Sequence, residues 1–268
     1  MQKVSEEMPI GIFDSGVGGL TVMKEITKLL PEENVVYLGD TARVPYGTRS
    51  PETVTKYSLK NTRFLLSKGI KILVVACNTS SSVSLDVLRE NLSIPVTGVV
   101  EPGAKAAVAA TRTKRIAVIG TEATISSGAY ERAIKAIDDS IEITVTPCPL
   151  FVPLIEEGWV TGDVVSLTAE KYLSSVKHKN VDSLVLGCTH YPMIKDVIED
   201  VVKIPLIDSA VETAKEVNRI LKSMNMLRCN KGNVQRRFFV TDSPEKFSLT
   251  GERFLEQKIS NILKINLE

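Results

Sequence analysis

The chain is expected to fold as an α/β protein of two related units with mostly parallel sheets, and three observations carry that reading. Short apolar, β-rich runs alternate with longer segments of helical periodicity, the pattern of repeated strand–helix units. Two of those runs end alike: Lys71-ILVVA-Cys77 and Asp182-SLVLG-Cys188 each reach a small residue, then cysteine, then small polar side chains. Other matches keep nearly the same spacing. The cysteines are 111 residues apart, Ile94-Pro95-Val96 recurs as Ile204-Pro205-Leu206 at an offset of 110, and Ile10-GIFDSG can be laid against Ile116-AVIGTE at 106. Parallel strands resemble one another anyway, so a single match would mean little; three in one order indicate a duplication.

In chain order the expected strands are Ile10–Phe13, Val35–Leu38, Ile72–Val75, Ile116–Ile119, Ile141–Val145, Ser183–Leu186, Pro205–Ile207 and Arg237–Val240. Helical patterns lie between them. Over Arg49–Gly69, Ser50 reads as the N-cap and Pro51 as the first helical residue. Glu52 adds negative charge to the first turn, and Gly69 stops the helix. Gly162–Lys177 and Ala210–Lys222 show similar periodicity. The division that follows is a first domain of residues 1–98 plus 210–268 and a second of 99–209, with the tail returning to the first unit.

Composition narrows the function. Lys+Arg 33 against Asp+Glu 32 leaves a net charge of +1, which gives no overall attraction to nucleic acid or an anionic membrane. The densest basic run, Arg112 to Arg115, reads as the solvated start of a strand. No stretch nears the ~20 apolar residues of a membrane span, and no signal peptide is visible in MQKVSEEMPIGIF. Four cysteines at 77, 148, 188 and 229 form no CxxC pair, so a reduced, cytoplasmic protein is expected rather than a disulfide scaffold. Closely spaced zinc ligands are missing, and no metal is expected.

In open parallel sheets ligands bind at the carboxyl ends of strands. Asp14-Ser15, Cys77-Asn78-Thr79 and Cys188-Thr189-His190 all stand at such ends. Either cysteine alone would read as a small core residue, but the matched pair suggests chemistry. Inverting an α-carbon requires a base on one face and an acid on the other, exchanging roles in the reverse direction. A thiol titrates near enough to neutrality for both roles, and a following helix amino terminus favours thiolate. His190 and Asp14 stand where they can assist proton movement. The glycine-rich run Asp14-SGVGGL-Thr21 lacks GxGxxG and GxxxxGK[ST] spacing. It reads as a tight strand-to-helix turn whose amides face a carboxylate. Cys148, between two prolines, and Cys229 read as structural, and His178 as solvent-facing.

At this point the sequence resembles the glutamate racemase family, through FDSGVGGLTV at 13–22, YLGDTARVPYG at 37–47, ACNTSS at 76–81, GCTHYP at 187–192 and TDSPEKF at 241–247. The resemblance implies two α/β domains related by a pseudo-two-fold, an active site in the cleft between them, and no cofactor. It implies Cys77 and Cys188 as the alternating acid and base, with Asp14, His190 and Glu156, favoured by alignment over Glu157, as auxiliary groups. Substrate contacts would come from Asp14, Ser15, Tyr46, Gly47, Asn78, Thr79, Thr189 and His190. Ser80 departs from the family's usual alanine and puts pocket details in doubt. The implied substrate is glutamate, the implied role is supply of D-glutamate for peptidoglycan, and a homodimer is expected. Rival readings are an aspartate or other amino-acid racemase of the same superfamily, or a small-molecule binding protein without turnover.

Overall fold

The computed structural model describes residues 4–229 and 232–267. Its strands are β1 Ile10–Asp14, β2 Val35–Gly39, β3 Ile72–Val75, β4 Val96–Gly98, β5 Arg115–Gly120, β6 Glu142–Pro147, β7 Ser183–Gly187, β8 Leu206–Asp208, β9 Arg236–Val240 and β10 Ile262–Lys264. The helices are α1 Leu20–Leu29, α2 Pro51–Ser67, α3 Asn78–Asn91, α4 Val100–Ala110, α5 Glu122–Ser126, α6 Ala129–Lys135, α7 Phe151–Glu156, α8 Asp163–Lys177, α9 Lys195–Val202, α10 Ser209–Ser223 and α11 Pro244–Leu255. Two sheets form, ordered β10-β9-β2-β1-β3-β4 and β6-β5-β7-β8. Every pairing is parallel.

The duplication read from cysteine spacing is visible as topology. Without the two tail strands, β2-β1-β3-β4 repeats the order β6-β5-β7-β8. In each sheet the chain steps from one side of the first strand to the other, which opens a crevice at the carboxyl ends of β1 and β3 and of β5 and β7. Helices cover parallel sheets on both faces, so central strands read as unbroken apolar runs. Accordingly β1, β2, β3 and β7 are buried along their whole length.

Local sequence explains the helix ends. At α2 the Ser50 side chain accepts from the Thr53 amide at 3.3 Å, Pro51 occupies the first turn, and Gly69 takes a φ of 68° just beyond the last turn. At α10 the Asp208 side chain accepts from the Ala210 amide at 2.9 Å. The helix buries Ala210, Thr213, Ala214, Val217 and Leu221, a stripe at helical spacing. That stripe packs on α1 beside the first sheet and on α4 beside the second, so α10 bridges the two units.

Two strands had no counterpart among those expected. β4 has only three residues after Pro95, and β10 is an edge strand with Leu263 and Lys264 exposed, so neither has the apolar run that marks a buried strand. The strand expected at Ile141–Val145 begins and ends later, at Glu142–Pro147, because Ile141 turns into the core before the ladder begins. β3 matches its expected range, and the remaining strands differ by one residue at one or both ends.

One ion pair is buried within this frame. Lys71, just before β3, meets Glu33 at 2.6 Å with both side chains almost wholly inaccessible. Its ammonium also donates to the carbonyls of Glu6 at 2.6 Å and Met226 at 2.9 Å. Glu33 in turn accepts from the Arg228 amide at 2.9 Å. Removing one partner leaves an uncompensated buried charge, which ordinarily costs about 3–5 kcal/mol. Lys71→Met should therefore lower unfolding free energy by about 3 kcal/mol in urea denaturation, whereas Lys203→Met, which breaks the exposed pair with Asp200, should change it by under ~0.5 kcal/mol.

Candidate active site

The carboxyl ends of the two sheets face a shared cavity of about 310 Å³. Ser15, Tyr46, Gly47, Cys77, Asn78 and Thr79 line it from the first unit; Cys188, Thr189, His190 and Glu156 line it from the second. Of the residues expected from the sequence, only Asp14 is absent from this lining. The cavity's size falls at the lower end for small-molecule sites. A larger groove, about 670 Å³ beside α3, α4 and α6, contains neither thiol nor imidazole.

The units approach closely here because the turn between β1 and α1 carries no side chain at position 18. A Cβ on Gly18 would stand 2.3 Å from Thr189 Oγ1 and 2.5 Å from His190 Nδ1. The Thr21 hydroxyl donates to the Thr189 carbonyl at 3.0 Å. On the opposite wall the Thr79 hydroxyl lies 3.0 Å from that of Thr121 and 3.3 Å from that of Thr124.

Topologically equivalent, the two cysteines differ chemically. Cys77 occupies the N-cap of α3, where a capping oxygen would ordinarily sit, and its sulfur lies 3.7 Å from Ser15 Oγ. The helix amino terminus was expected to favour thiolate. The Ser80 amide does pull that way, but burial and the nearby Asp14 carboxylate outweigh it and push the Cys77 thiol up to about 12. Asp14 is itself wholly buried, which raises its pKa, and its Oδ2 accepts from the Gly16 amide at 2.9 Å. The glycine-rich turn thus turns an amide onto the chain's own carboxylate.

Cys188 meets a different neighbour. Its sulfur is 3.9 Å from His190 Nδ1, and His190 Nε2 is 3.1 Å from Glu156 Oε1. Burial opposes charge on the imidazole, but its bonds to Cys188 and Glu156 prevail and raise the pKa of His190. Burial likewise opposes charge on Glu156, and the bond to His190 holds its carboxyl low. The imidazole beside the Cys188 sulfur is thus one whose protonated form the Glu156 carboxylate favours. Phe254 of α11 packs edge-on to the imidazole at 5.3 Å between centroids. Glu157 is exposed.

Several other expectations now have places. The Tyr46 hydroxyl is committed to Asp40 and accepts from Asn61 Nδ2 at 3.1 Å, which leaves its backbone and ring for the cavity. Asp40, at the end of β2, also accepts from Thr241 Oγ1 at 2.9 Å and pairs with Arg43 at 3.1 Å. Ser80 is buried with its hydroxyl 3.2 Å from Ser58 on α2, away from the cavity lining. Cys148 is buried, Cys229 is exposed, and His178 is exposed.

Sequence reading missed Asp40, Thr121 and Thr124. The repeat held a signal for Thr121, because the offset of 106 superimposes it on Ser15. Asp40 and Thr124 had no such cue, since Thr124 reaches Thr79 from 45 residues away and Asp40 reaches Thr241 from 201.

The His190–Glu156 contact has a direct readout, because the chain contains only two histidines. In an NMR titration His190 should stay protonated to a pH above the ordinary imidazole range. Glu156→Gln removes the charge that holds the proton and should move the His190 midpoint down by about one unit, or ~1.4 kcal/mol. A His190 midpoint within the ordinary imidazole range in the unmodified protein would contradict the contact.

Comparison with known proteins agrees with this geometry. The sequence model of the Asp/Glu/Hydantoin racemase family matches residues 10–217. The glutamate racemase of Geobacter metallireducens is 54% identical over 261 residues, 97% of either chain. Among solved structures, the glutamate racemase of Francisella tularensis in complex with D-glutamate superimposes with a TM-score of 0.94 at 40% identity, covering 98% of this chain and 99% of that one. A glutamate racemase isoform from Bacillus anthracis gives 0.95 at 39%, covering 98% of both. A family match over most of the chain, joined to full-length relatives with the same fold, leaves one conclusion: the chain belongs to the Asp/Glu/Hydantoin racemase family.

Proposed function

We propose that the protein interconverts L- and D-glutamate, with Cys77 and Cys188 exchanging protons with the α-carbon from opposite faces. The observation that carries this reading is that cysteines at equivalent ends of two repeated sheets line one small cavity. The relatives' activity supports glutamate as the substrate.

The chemistry follows from the environments. With the His190 imidazole 3.9 Å from it, the Cys188 sulfur serves as the base, while burial and Asp14 keep the proton on Cys77. The base takes the α-hydrogen, so a C–H bond breaks and an S–H bond forms. The electron pair left on carbon delocalises into the α-carboxylate, where nearby donors stabilise the growing charge. Cys77 then gives its proton to the opposite face. After one turnover the two sulfurs have exchanged protonation states, and the site is set for the other enantiomer. Asp14 acts from behind the wall through its effect on Cys77, and the Glu156–His190 pair acts on Cys188.

The hydroxyls of Thr79 and Thr121, which line the cavity, with backbone amides at the strand ends, suit a carboxylate of the substrate. The same reading takes residues 1–98 with 210–268 and residues 99–209 as the two domains. It makes the protein a cytoplasmic homodimer that supplies D-glutamate for peptidoglycan.

Enantiomers have equal free energy, so the equilibrium constant is unity and any variant must lose kcat/KM equally in both directions. Proton exchange is not so constrained. Cys77→Ala and Cys188→Ala should each cut racemisation by more than about a thousandfold, as removal of one member of a catalytic pair does. Circular dichroism of the folded protein should remain unchanged. Each variant should still exchange the α-hydrogen of one enantiomer with deuterated solvent, and the enantiomer should differ between the two. Ordinary racemisation in either variant, or exchange of the same enantiomer by both, would refute the assignment.

A further inference from the structure

Among the buried phenols that the mechanism leaves unused, one joins the two units beside a cysteine. Tyr130, on α6, is 2% exposed, and its hydroxyl donates to Asn78 Oδ1 at 2.7 Å. The donor belongs to the second unit and the acceptor to the first turn of α3, one residue past Cys77. The tyrosine ring is seated on the end of β7: a Cβ at Gly187 would lie 3.1 Å from Tyr130 Cε2. Burial holds the phenol's pKa above its ordinary value, so it keeps its proton throughout the neutral range.

Asn78 offers one acceptor and two donors on a nearly symmetric amide, and its neighbours decide which way it faces. With Oδ1 taken by Tyr130, the remaining group is Nδ2, which is buried and has no acceptor among the described residues. An unpaired buried donor is costly, and Asn78 lines the cavity. An anionic oxygen in that cavity would relieve the cost.

We propose that Tyr130 is a positioning residue for substrate binding: by donating to Oδ1 it turns Asn78 Nδ2 toward the cavity, where Nδ2 donates to a carboxylate of the substrate. The inference rests on the reading of Asn78 as a substrate contact. Because the Tyr130–Asn78 bond spans the two units, the amide is oriented only while the units are packed together. Recognition of the anion is thereby tied to formation of the cavity.

A double-mutant cycle tests this, with Kd for glutamate from calorimetric titration and KM from initial rates. Asn78→Ala should weaken binding about tenfold, the value of one hydrogen bond to a charged group. Tyr130→Phe keeps the ring and should raise Kd and KM about fivefold while kcat changes by less than about twofold. In the Asn78→Ala background Tyr130→Phe should add nothing, since the amide it orients is gone. A purely structural tyrosine would weaken binding by the same factor in both backgrounds, and that result overturns the proposal. Asn78→Asp gives an arm independent of how Tyr130→Phe folds. It preserves shape but turns a carboxylate oxygen toward the anion, and should cost about a hundredfold, more than alanine does. Asp binding as well as Ala would overturn the orientation. No effect of Asn78→Ala would overturn both the proposal and the substrate contact, and an absence of glutamate binding by the unmodified protein would sink the functional reading beneath them.

Discussion

The site depends on one constraint: the carboxyl ends of two parallel sheets must approach closely enough for two sulfurs to share a single small cavity. Packing meets that constraint before chemistry enters. Gly18 leaves room for Thr189 and His190, and the Thr21 hydroxyl fixes the Thr189 carbonyl across the junction. On the other wall Tyr130 and the Thr121–Thr124 pair reach from the second unit to Asn78 and Thr79. Helix α10 bridges the units behind these contacts. Each polar link ends at the residues flanking a cysteine, so the forces that join the units also set the geometry of the thiols.

Duplication supplies two thiols, and their neighbours differ. A symmetric pair in a dry cavity would hold both sulfurs neutral, because burial penalises the thiolate. Here Cys77 is buried beside the carboxylate of Asp14, while Cys188 faces an imidazole that Glu156 keeps protonated. The two sulfurs therefore sit in electrostatically different surroundings. The difference is local, arising from Glu156 at the end of α7 and from His190 after β7, whose place after Cys77 is taken by Thr79.

Much of this was legible in the sequence, for reasons that can be named. Strands buried on both faces write themselves as unbroken apolar runs, and the ends of β1, β3 and β7 stood out because acid, thiol, amide and imidazole groups replaced the turn residues that would have sufficed. The stop and start of α2 followed from Ser50, Pro51 and Gly69. What stayed hidden depends on contacts between distant segments. β4 and β10 owe their pairing to neighbours rather than to their own composition. Asp40 gains its place from Tyr46 and Thr241, and Tyr130 from Asn78, none of which a local pattern records. The electrostatic balance at Cys77 was also out of reach, since the helix terminus visible in sequence is overruled by a burial visible only in the fold.

The central claim is that hydrogen leaves one face and arrives at the other from a different sulfur. Early turnover of L-glutamate, and separately of D-glutamate, in deuterated water by the unmodified protein tests it most directly, with deuterium followed in both enantiomers. Two monoprotic thiols predict that the first product carries deuterium at the α-carbon while the remaining substrate keeps its own hydrogen. Product retaining the substrate's hydrogen, or deuterium entering both enantiomers equally from the first time point, would contradict the account.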